Sequence, residues 1–328
     1  MILDSHCHII PAAMMTSAVP DDWRPSLSRA DGRREVSFRG KTISSVTGEF
    51  ADAGVMLAEA EAAGVTDLLL SPWILLVPAQ AEPEEAARIC RVQNESLAES
   101  ARGQAGRVHA LGAVPLQDPR RAVAELEYLM RLPGLHGVEV PASVGGCYVG
   151  EDRFAPFWEA AAGLGAVVFI HPTTTGLGLP ALDGHYLWNS VGNPVETAIA
   201  AAQLVVGGVI ERCPGLVVLL AHGGGALLTL RGRLRRAFAV RPEARADTAA
   251  GPDDLLRRLY FDSLTHDQDV LSDLVAFAGA DHVLLGSDRP FDMGSDRPAE
   301  DIAALRLSDA DEQLILGGNA ERLLRIAR

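Results

Sequence analysis

The sequence predicts an α/β fold, a (β/α)8 TIM barrel with a small insertion after strand 1. Short apolar runs alternate with longer amphipathic runs, eight of the short runs have strand character, and 328 residues suit a barrel. Hydrophobic residues make up 48% of the chain and aromatic residues only 5%, which is typical of close packing of helices on strands. An open, doubly wound sheet is the alternative arrangement of the same elements.

The predicted strands are the short apolar runs that alternate with the longer amphipathic ones. Runs of this length are too short for a typical helix. In chain order the predicted strands are 2–4, 67–70, 109–113, 137–140, 167–170, 217–220, 259–262 and 283–286.

The predicted helices lie between these strands, and most of them open with proline, aspartate or glycine. Gly64 and Gly165 follow two of them directly, as expected for residues that end a helix before the next strand. The predicted helices are 53–63, 83–101, 119–132, 154–164, 195–212, 224–239 and 267–278.

We expect residues 1–328 to form one domain, because no linker interrupts the alternation of strands and helices. Segment 10–50, rich in proline, serine, arginine and glycine, is too long for a simple loop. Within it, residues 35–43 alternate as a small hairpin does. Because this segment leaves the end of strand 1, we predict that it is a lid or hairpin insertion that overhangs the barrel mouth.

The charge of the chain excludes several classes of partner. Lysine and arginine number 29 against 43 aspartates and glutamates, so the net charge is −14, and we expect no nucleic-acid partner.

No apolar run approaches the roughly 20 residues of a membrane span, and polar residues interrupt the only place for a signal peptide. We therefore expect no association with a membrane and a cytoplasmic location. Four cysteines without CxxC spacing indicate reduced thiols.

Two histidines one residue apart, His6 and His8, point to one face of a strand, where they could share a metal ion. Three further polar residues directly follow later strands, namely His171, His222 and Asp288. Barrel chemistry collects at the carboxyl ends of strands, so we expect the five side chains to meet there. Taken singly, each could instead be a buried core histidine or a helix-capping aspartate.

Three imidazoles and one carboxylate suit one divalent metal, most plausibly Zn²⁺ with Mn²⁺ as the alternative, and leave a coordination position open. The five side chains are one more than the four ligands that such a site needs. One of them should therefore act as a general acid or base. His222 is the candidate, because the glycines 223–225 leave its ring room to approach. The same glycines could instead form a tight turn or cradle an anion.

These residues resemble the branch of the amidohydrolase superfamily (amidohydrolase-related family 2) that includes aminocarboxymuconate semialdehyde decarboxylase and the related resorcylate and carboxyvanillate decarboxylases. The resemblance spans almost the whole chain. It rests on segments 4–8, 169–172, 192–197, 221–225 and 285–291.

The resemblance implies roles for the residues that match these motifs. It implies that His6, His8, His171 and Asp288 bind the metal, while His222 activates water or handles the proton. The carbamylated lysine of many hydrolytic relatives has no obvious counterpart, and Glu139 stands on the fourth strand instead. We therefore expect a mononuclear site, with Glu139 either near the metal or substrate, or tied up in hydrogen bonds inside the barrel.

The resemblance further implies a metal-dependent, non-oxidative decarboxylase of a small unsaturated or aromatic carboxylic acid, without organic cofactor and assembled as a homodimer. Loss of CO2 leaves electron density on carbon, which a cation and a nearby acid stabilise. An aminocarboxymuconate-type substrate implies that His222 takes a proton, whereas a hydroxybenzoate implies ring protonation near Asp288. The alternatives are a hydrolase or hydratase that uses the same activated water, and a metal-binding relic without turnover.

Arginines are expected to hold the substrate carboxylate, because a guanidinium forms paired hydrogen bonds with it. Arg233 and Arg241 resemble the carboxylate-binding arginines of the family, one of which crosses a dimer interface there; alternatively they belong to a solvated basic helix. A further family arginine falls at Thr47 here, and Arg39 or Lys41 in the overhanging segment could substitute for it. Arg289 stands where the family has an aromatic residue, and we expect it to add positive charge at the mouth.

Overall fold

The computed structural model describes residues 1–30, 33–104 and 106–326. Within these residues, short 3-10 and π turns connect the regular elements. In chain order the strands are β1 (Leu3–Ile9), β2 (Ser26–Ala30), β3 (Arg33–Phe38), β4 (Lys41–Val46), β5 (Asp67–Pro72), β6 (Val108–Gly112), β7 (Leu135–Pro141), β8 (Ser143–Val144), β9 (Cys147–Tyr148), β10 (Val167–His171), β11 (Val217–Leu220), β12 (Tyr260–Asp262) and β13 (Val283–Leu284).

The helices of the described chain alternate with these strands. None of them is long and apolar enough to cross a membrane. They are α1 (Ala53–Ala62), α2 (Pro83–Arg102), α3 (Pro119–Leu129), α4 (Ala155–Leu164), α5 (Asn193–Val206), α6 (Val209–Arg212), α7 (Leu227–Val240), α8 (Pro252–Leu256), α9 (Gln268–Ala278), α10 (Pro298–Ala303), α11 (Asp309–Gln313) and α12 (Asn319–Leu324).

Eight parallel strands form a nearly closed barrel in the order β1-β5-β6-β7-β10-β11-β12-β13, which confirms the predicted fold class. Backbone hydrogen bonds join the residues after β13, the last strand of the sheet, to β1, the first strand. The Ser5 N–H donates to the Leu285 carbonyl at 2.8 Å, and the Asp288 N–H donates to the His6 carbonyl at 2.7 Å. This closure brings the segment after β13 against the middle of β1.

Strand side chains alternate between the barrel interior and the surrounding helices, as the period of two requires. Phe169 and Leu219 belong to the interior apolar cluster, whereas Val168 and Ile170 join the layer that packs against the helices. Cys7 lies in that outer layer, between two histidines that point inward. The interior therefore holds an apolar layer at depth, with the buried polar residues of β1 and β10 toward the carboxyl ends of the strands.

Several predicted boundaries differ from the observed ones. Strand 1 was predicted at 2–4 but runs to Ile9, because the buried polar residues that follow are hydrogen-bonded and do not end the strand. The helix predicted at 195–212 is interrupted after Val206, where Gly208 has a φ of 72°. The strand predicted at 283–286 ends at Leu284; at Gly286, a Cβ atom would lie 2.9 Å from the Cβ of His6.

The segment between β1 and α1 contains the antiparallel sheet β2-β3-β4. Its buried side chains, including Trp23, Phe38 and Phe50, pack with Trp73 after β5 in a small separate core. The end of β4 is joined to the loop after β13, where the Thr47 N–H donates to the Pro290 carbonyl at 2.8 Å. That this segment is a lid stays a prediction.

Candidate metal centre

Four polar residues converge at the carboxyl end of the barrel: His6, His8, His171 and Asp288. All are buried, and one potential ligand atom from each lies within 4.8 Å of the others. The Nε2 atoms of His6 and His8 are 3.1 Å apart, and Asp288 Oδ1 lies 3.3 and 3.2 Å from them. These are the four residues predicted as metal ligands, from β1, β10 and the segment after β13.

Each of the three histidines has its Nδ1 atom engaged by a neighbouring oxygen, so its Nε2 atom faces the cluster. A partner behind the ring fixes the tautomer and orientation of a metal-binding histidine. The pairs are His6 with Asp262 Oδ2 at 2.5 Å, His8 with Ser71 Oγ at 3.2 Å, and His171 with the Pro172 carbonyl at 2.9 Å.

Two atoms of the cluster are buried without a hydrogen-bond partner among the described residues, namely His171 Nε2 and Asp288 Oδ1. Buried polar atoms are normally paired, so two unpaired ones in the same cluster need an explanation. Three imidazole nitrogens and one carboxylate oxygen are a common donor set for zinc, and imidazole and carboxylate also bind manganese. The residues therefore fit one divalent cation.

The electrostatics of the cluster also favour a cation. Burial lowers the pKa of His171 well below its usual value, and the neighbouring imidazoles lower it further, so this ring is a neutral donor. Burial would lower the pKa of His6 too, but the charge of Asp288 and the hydrogen bond with Asp262 outweigh it and raise the pKa to about 10. The carboxylates around His6 therefore stabilise a positive charge within the cluster.

Asp4 lies inside the seam where the barrel closes. Its Oδ1 accepts the His6 N–H at 3.1 Å and the Ser287 N–H at 3.0 Å, and the Ser287 hydroxyl donates to its Oδ2. Burial raises the pKa of Asp4 to about 6 despite these donors. Asp4 therefore fixes the backbone on both sides of the seam, next to His6 and immediately before Asp288.

Asp262, the last residue of β12, is a site residue that the sequence interpretation missed. It is fully buried, and besides His6 it accepts the backbone N–H of His222 at 2.8 Å and of Gly223 at 2.7 Å. Its position at the carboxyl end of the predicted strand 259–262 is the signal that could have identified it, since the same rule identified His171 and His222.

His222 lies beside the four-residue cluster and is more accessible than its members. Its Nε2 is 3.5 Å from Asp288 Oδ2, and its side chain is 18% exposed. It occupies a tight turn, with positive φ at His222 and at Gly223 to Gly225. The first N–H groups of this turn donate to Asp262, so the glycines form a tight strand-to-helix turn here, one of the predicted alternatives.

Glu139 projects from β7 into the barrel interior on the far side of His8. Its Oε1 lies 3.7 Å from His8 Nδ1, which is the ring atom turned away from the cluster. Neither carboxylate oxygen has a hydrogen-bond partner within the described part of the chain, and burial raises the pKa of Glu139 well above its usual value. It is therefore adjacent to the cluster without facing it.

The four arginines predicted to bind substrate do not join the cluster. None of their guanidinium groups makes a hydrogen bond or an ion pair with a cluster residue among the residues that the structure describes; the backbone carbonyl of Arg289 accepts the His8 N–H at 2.7 Å. Arg233 is exposed on α7, Arg39 stacks on Trp23, Arg241 pairs with Glu243, and Arg289 donates to the Asp296 carbonyl at 2.6 Å. Arg289 also lines a small cavity with Cys7, Glu49 and Glu59. That these arginines bind the substrate stays a prediction.

A sequence profile described as amidohydrolase matches residues 3–326. The chain belongs to the amidohydrolase family. The 2-amino-3-carboxymuconate-6-semialdehyde decarboxylase of Dictyostelium discoideum is 28% identical, over 98% of this amidohydrolase and 91% of the relative. A gamma-resorcylate decarboxylase of Polaromonas sp. is 27% identical, over 81% of this chain and 85% of the relative. The resemblance inferred from the motifs is confirmed.

A solved structure provides a further comparison. The dihydroxybenzoic acid decarboxylase from Polaromonas sp., with bound manganese and the inhibitor 2-nitroresorcinol, aligns with a TM-score of 0.78 and 25% identity. The alignment covers 100% of this amidohydrolase and 97% of that protein. The relatives named above are decarboxylases, and the solved one shares the fold of this chain.

Proposed function

We propose that this amidohydrolase is a metal-dependent, non-oxidative decarboxylase of a small aromatic or unsaturated carboxylic acid. The observation that carries the proposal is the convergence of four potential ligand atoms within 4.8 Å at the barrel mouth, with His222 beside them. We propose that His6, His8, His171 and Asp288 hold one divalent cation, zinc or manganese. The names of the relatives support decarboxylation as the reaction class.

The side chains around the cluster are suited to proton transfer. A bound cation supplies a Lewis acid that orients the substrate oxygens and stabilises the charge that develops as CO2 leaves. The carbon that loses CO2 keeps the electron pair of the broken bond and must gain a proton. His222 Nε2 is placed to deliver it, with the Asp288 carboxylate 3.5 Å away to stabilise the protonated ring, and His222 is open enough to exchange its proton with solvent.

The positions of the arginines favour one class of acid. Because none of the four predicted arginines is bound to the cluster, recognition of the carboxylate within one chain falls on the cation. An aromatic acid with a hydroxyl group ortho to its carboxylate offers two adjacent oxygens to one cation. The ring of Phe291, 5.7 Å from that of His8, supplies an apolar surface at the same place. We propose an ortho-hydroxy aromatic acid as the substrate class.

An aminocarboxymuconate-type acid is the second candidate, and it depends on the quaternary structure. On α7 only Leu227 is buried, while Leu230 and Val240 are exposed together with several arginines. We propose that the protein is a homodimer, in which a partner could bring Arg233 or Arg241 to the mouth. Sedimentation equilibrium would test this state, and a monomer at enzyme concentrations would remove the second candidate.

The proposed function is tested by elemental analysis followed by a CO2-release screen. Purified protein, loaded with zinc or with manganese, is incubated with hydroxybenzoates and with muconate-type acids, and CO2 and products are measured. We expect about one divalent ion per chain, and CO2 release that stops on chelation and returns with metal. Incorporation of water without CO2 would favour the hydrolase or hydratase. Absence of stoichiometric metal, with no restoration by added zinc or manganese, would overturn the proposal.

A further inference from the structure

The segment 192–197 is a motif to which the proposed chemistry assigns no role. It forms the first turn of α5, and Glu196 within it is buried, with 2% of its surface exposed. A buried carboxylate is costly unless several donors satisfy it. The contacts of Glu196 and of the neighbouring backbone therefore indicate what this turn does.

Glu196 binds the start of the loop that follows His171. The Thr173 N–H donates to Oε2 at 2.8 Å, and the Thr173 hydroxyl lies 2.7 Å from Oε1. The Ser143 hydroxyl, from β8, also donates to Oε1 at 3.2 Å. Hydrogen bonds to an ionised acceptor are shorter and stronger than neutral ones, so the backbone two residues beyond His171 is held firmly.

The same turn also contacts the backbone that carries His222. The Pro194 carbonyl accepts the Ala226 N–H at 3.1 Å. Gly225 has a φ of 61°, and a Cβ atom at this position would lie 2.1 Å from the Pro194 carbonyl oxygen. The strand-to-helix turn after His222 is therefore packed directly on the first turn of α5, at a distance that only glycine permits.

We propose that the first turn of α5 is a common brace for His171 and His222, and that Glu196 is its positioning residue. His171 ends β10 and His222 follows β11, and the backbone that leaves each of them contacts this one turn. Their relative placement must be accurate to a fraction of an ångström for proton transfer beside a bound cation. The inference rests on the proposed function for the roles of these two histidines.

The test compares Glu196→Gln with a matched carboxylate elsewhere. Glu211 also accepts a threonine hydroxyl, from Thr248 at 2.7 Å, and a backbone N–H, from Ala249 at 2.9 Å, but it lies on α6 before β11, at the amino end of the strands. Glu211→Gln therefore controls for the loss of a loop-binding carboxylate. Metal affinity is measured by competition with a chelator, without substrate, and thermal stability is measured in the same samples.

We expect Glu196→Gln to lose metal affinity by about tenfold or more, in the range seen for groups that orient metal ligands, while Glu211→Gln keeps the wild-type affinity. At saturating metal, kcat should fall and KM should stay nearly constant, because Glu196 does not contact the substrate. Equal affinity in the two variants, with equal losses of melting temperature, would overturn the proposal by assigning Glu196 a purely structural role.

Thr173 provides a second, milder pair of variants in case Glu196→Gln does not fold. Thr173→Val removes the hydroxyl donor and should reproduce part of the loss, whereas Thr173→Ser keeps the donor and should restore affinity and kcat. Loss of affinity in both Thr173 variants alike would contradict the brace. If wild-type protein binds metal but releases CO2 from no acid, the proposed function fails while the affinity comparison still tests the brace.

Discussion

His6 Nδ1 lies 2.5 Å from Asp262 Oδ2, and both side chains are fully buried. The same carboxylate accepts the N–H groups of His222 and Gly223, at 2.8 and 2.7 Å. One aspartate on β12 therefore fixes a ring at the start of the chain and the turn that carries the proposed proton-transfer residue. The orientation of His6 and the position of His222 therefore both depend on Asp262.

Replacing Asp262 with asparagine should weaken metal binding by about 10- to 100-fold, because the amide orients His6 less strongly than a carboxylate does. A chelator competition assay measures this loss. The control is Asp118→Asn, since Asp118 also accepts two backbone N–H groups, at the start of α3 and away from the site. Wild-type affinity in Asp262→Asn would contradict the role assigned to this contact.

The strand-end rule explains how much of this site could be predicted from the sequence. His171 and His222 each follow an apolar run directly, and parallel strands bring such residues to one end of a barrel. Asp262 obeys the same rule, but the pattern places it inside the predicted strand 259–262. The apolar run at the start of β1 likewise predicts a strand that ends at residue 4, although the strand continues to Ile9 through buried polar residues that other segments satisfy.

Side-chain paths and packing between distant segments could not be predicted in this way. Arg289 follows Asp288 directly, yet its long side chain turns toward the Asp296 carbonyl, a contact that depends on the folded loop. The alternation at 35–43 indicated a hairpin, but not that Val46 would pair with Phe291 from the other end of the chain. The pairing of Val46 with Phe291 joins segments more than 200 residues apart, and no local pattern encodes it.

His171 and His222 should respond differently to removal of their rings. His171→Ala should lose the metal, because its Nε2 faces the cluster from a buried position. His222→Ala should retain the metal and lose turnover, because its ring lies beside the cluster and reaches solvent. Metal content by mass spectrometry and CO2 release separate the two effects. The reverse pattern would exchange the assigned roles.

Removal of the metal should lower the stability of the protein. A ligand that binds only the folded state stabilises it by about 2.7 kcal/mol when its free concentration is 100 times Kd. We therefore expect the melting temperature to fall on dialysis against a chelator and to rise again with increasing zinc or manganese. His171→Ala should show no such dependence. A melting temperature independent of metal in wild-type protein would argue against a structural cation at these four residues.

A second pair of histidines lies at the opposite, amino-terminal end of the barrel. His109 Nδ1 and His136 Nε2 are 3.0 Å apart, on the neighbouring strands β6 and β7. Burial lowers the pKa of His136 to about 4, and the adjacent His109 contributes to this; burial also lowers the pKa of His109. Both rings are thus neutral in the folded protein under conditions in which the unfolded chain binds protons.

This pair should make the protein sensitive to acid. The unfolded chain binds a proton at His136 near pH 6.5 and the folded protein only near pH 4, so stability should fall as the pH drops through this window and level off below it. The gap corresponds to roughly 3 kcal/mol at about 1.4 kcal/mol per pH unit. Denaturant unfolding at several pH values should show a shallower dependence for His136→Asn, whereas His185→Asn, at an exposed position, should match wild type. Carboxylates that titrate in the same window contribute equally to the pH dependence of all three proteins, so only the histidine substitutions distinguish them. If the free energy of unfolding changed with pH equally in all three, the pH dependence would not come from His136.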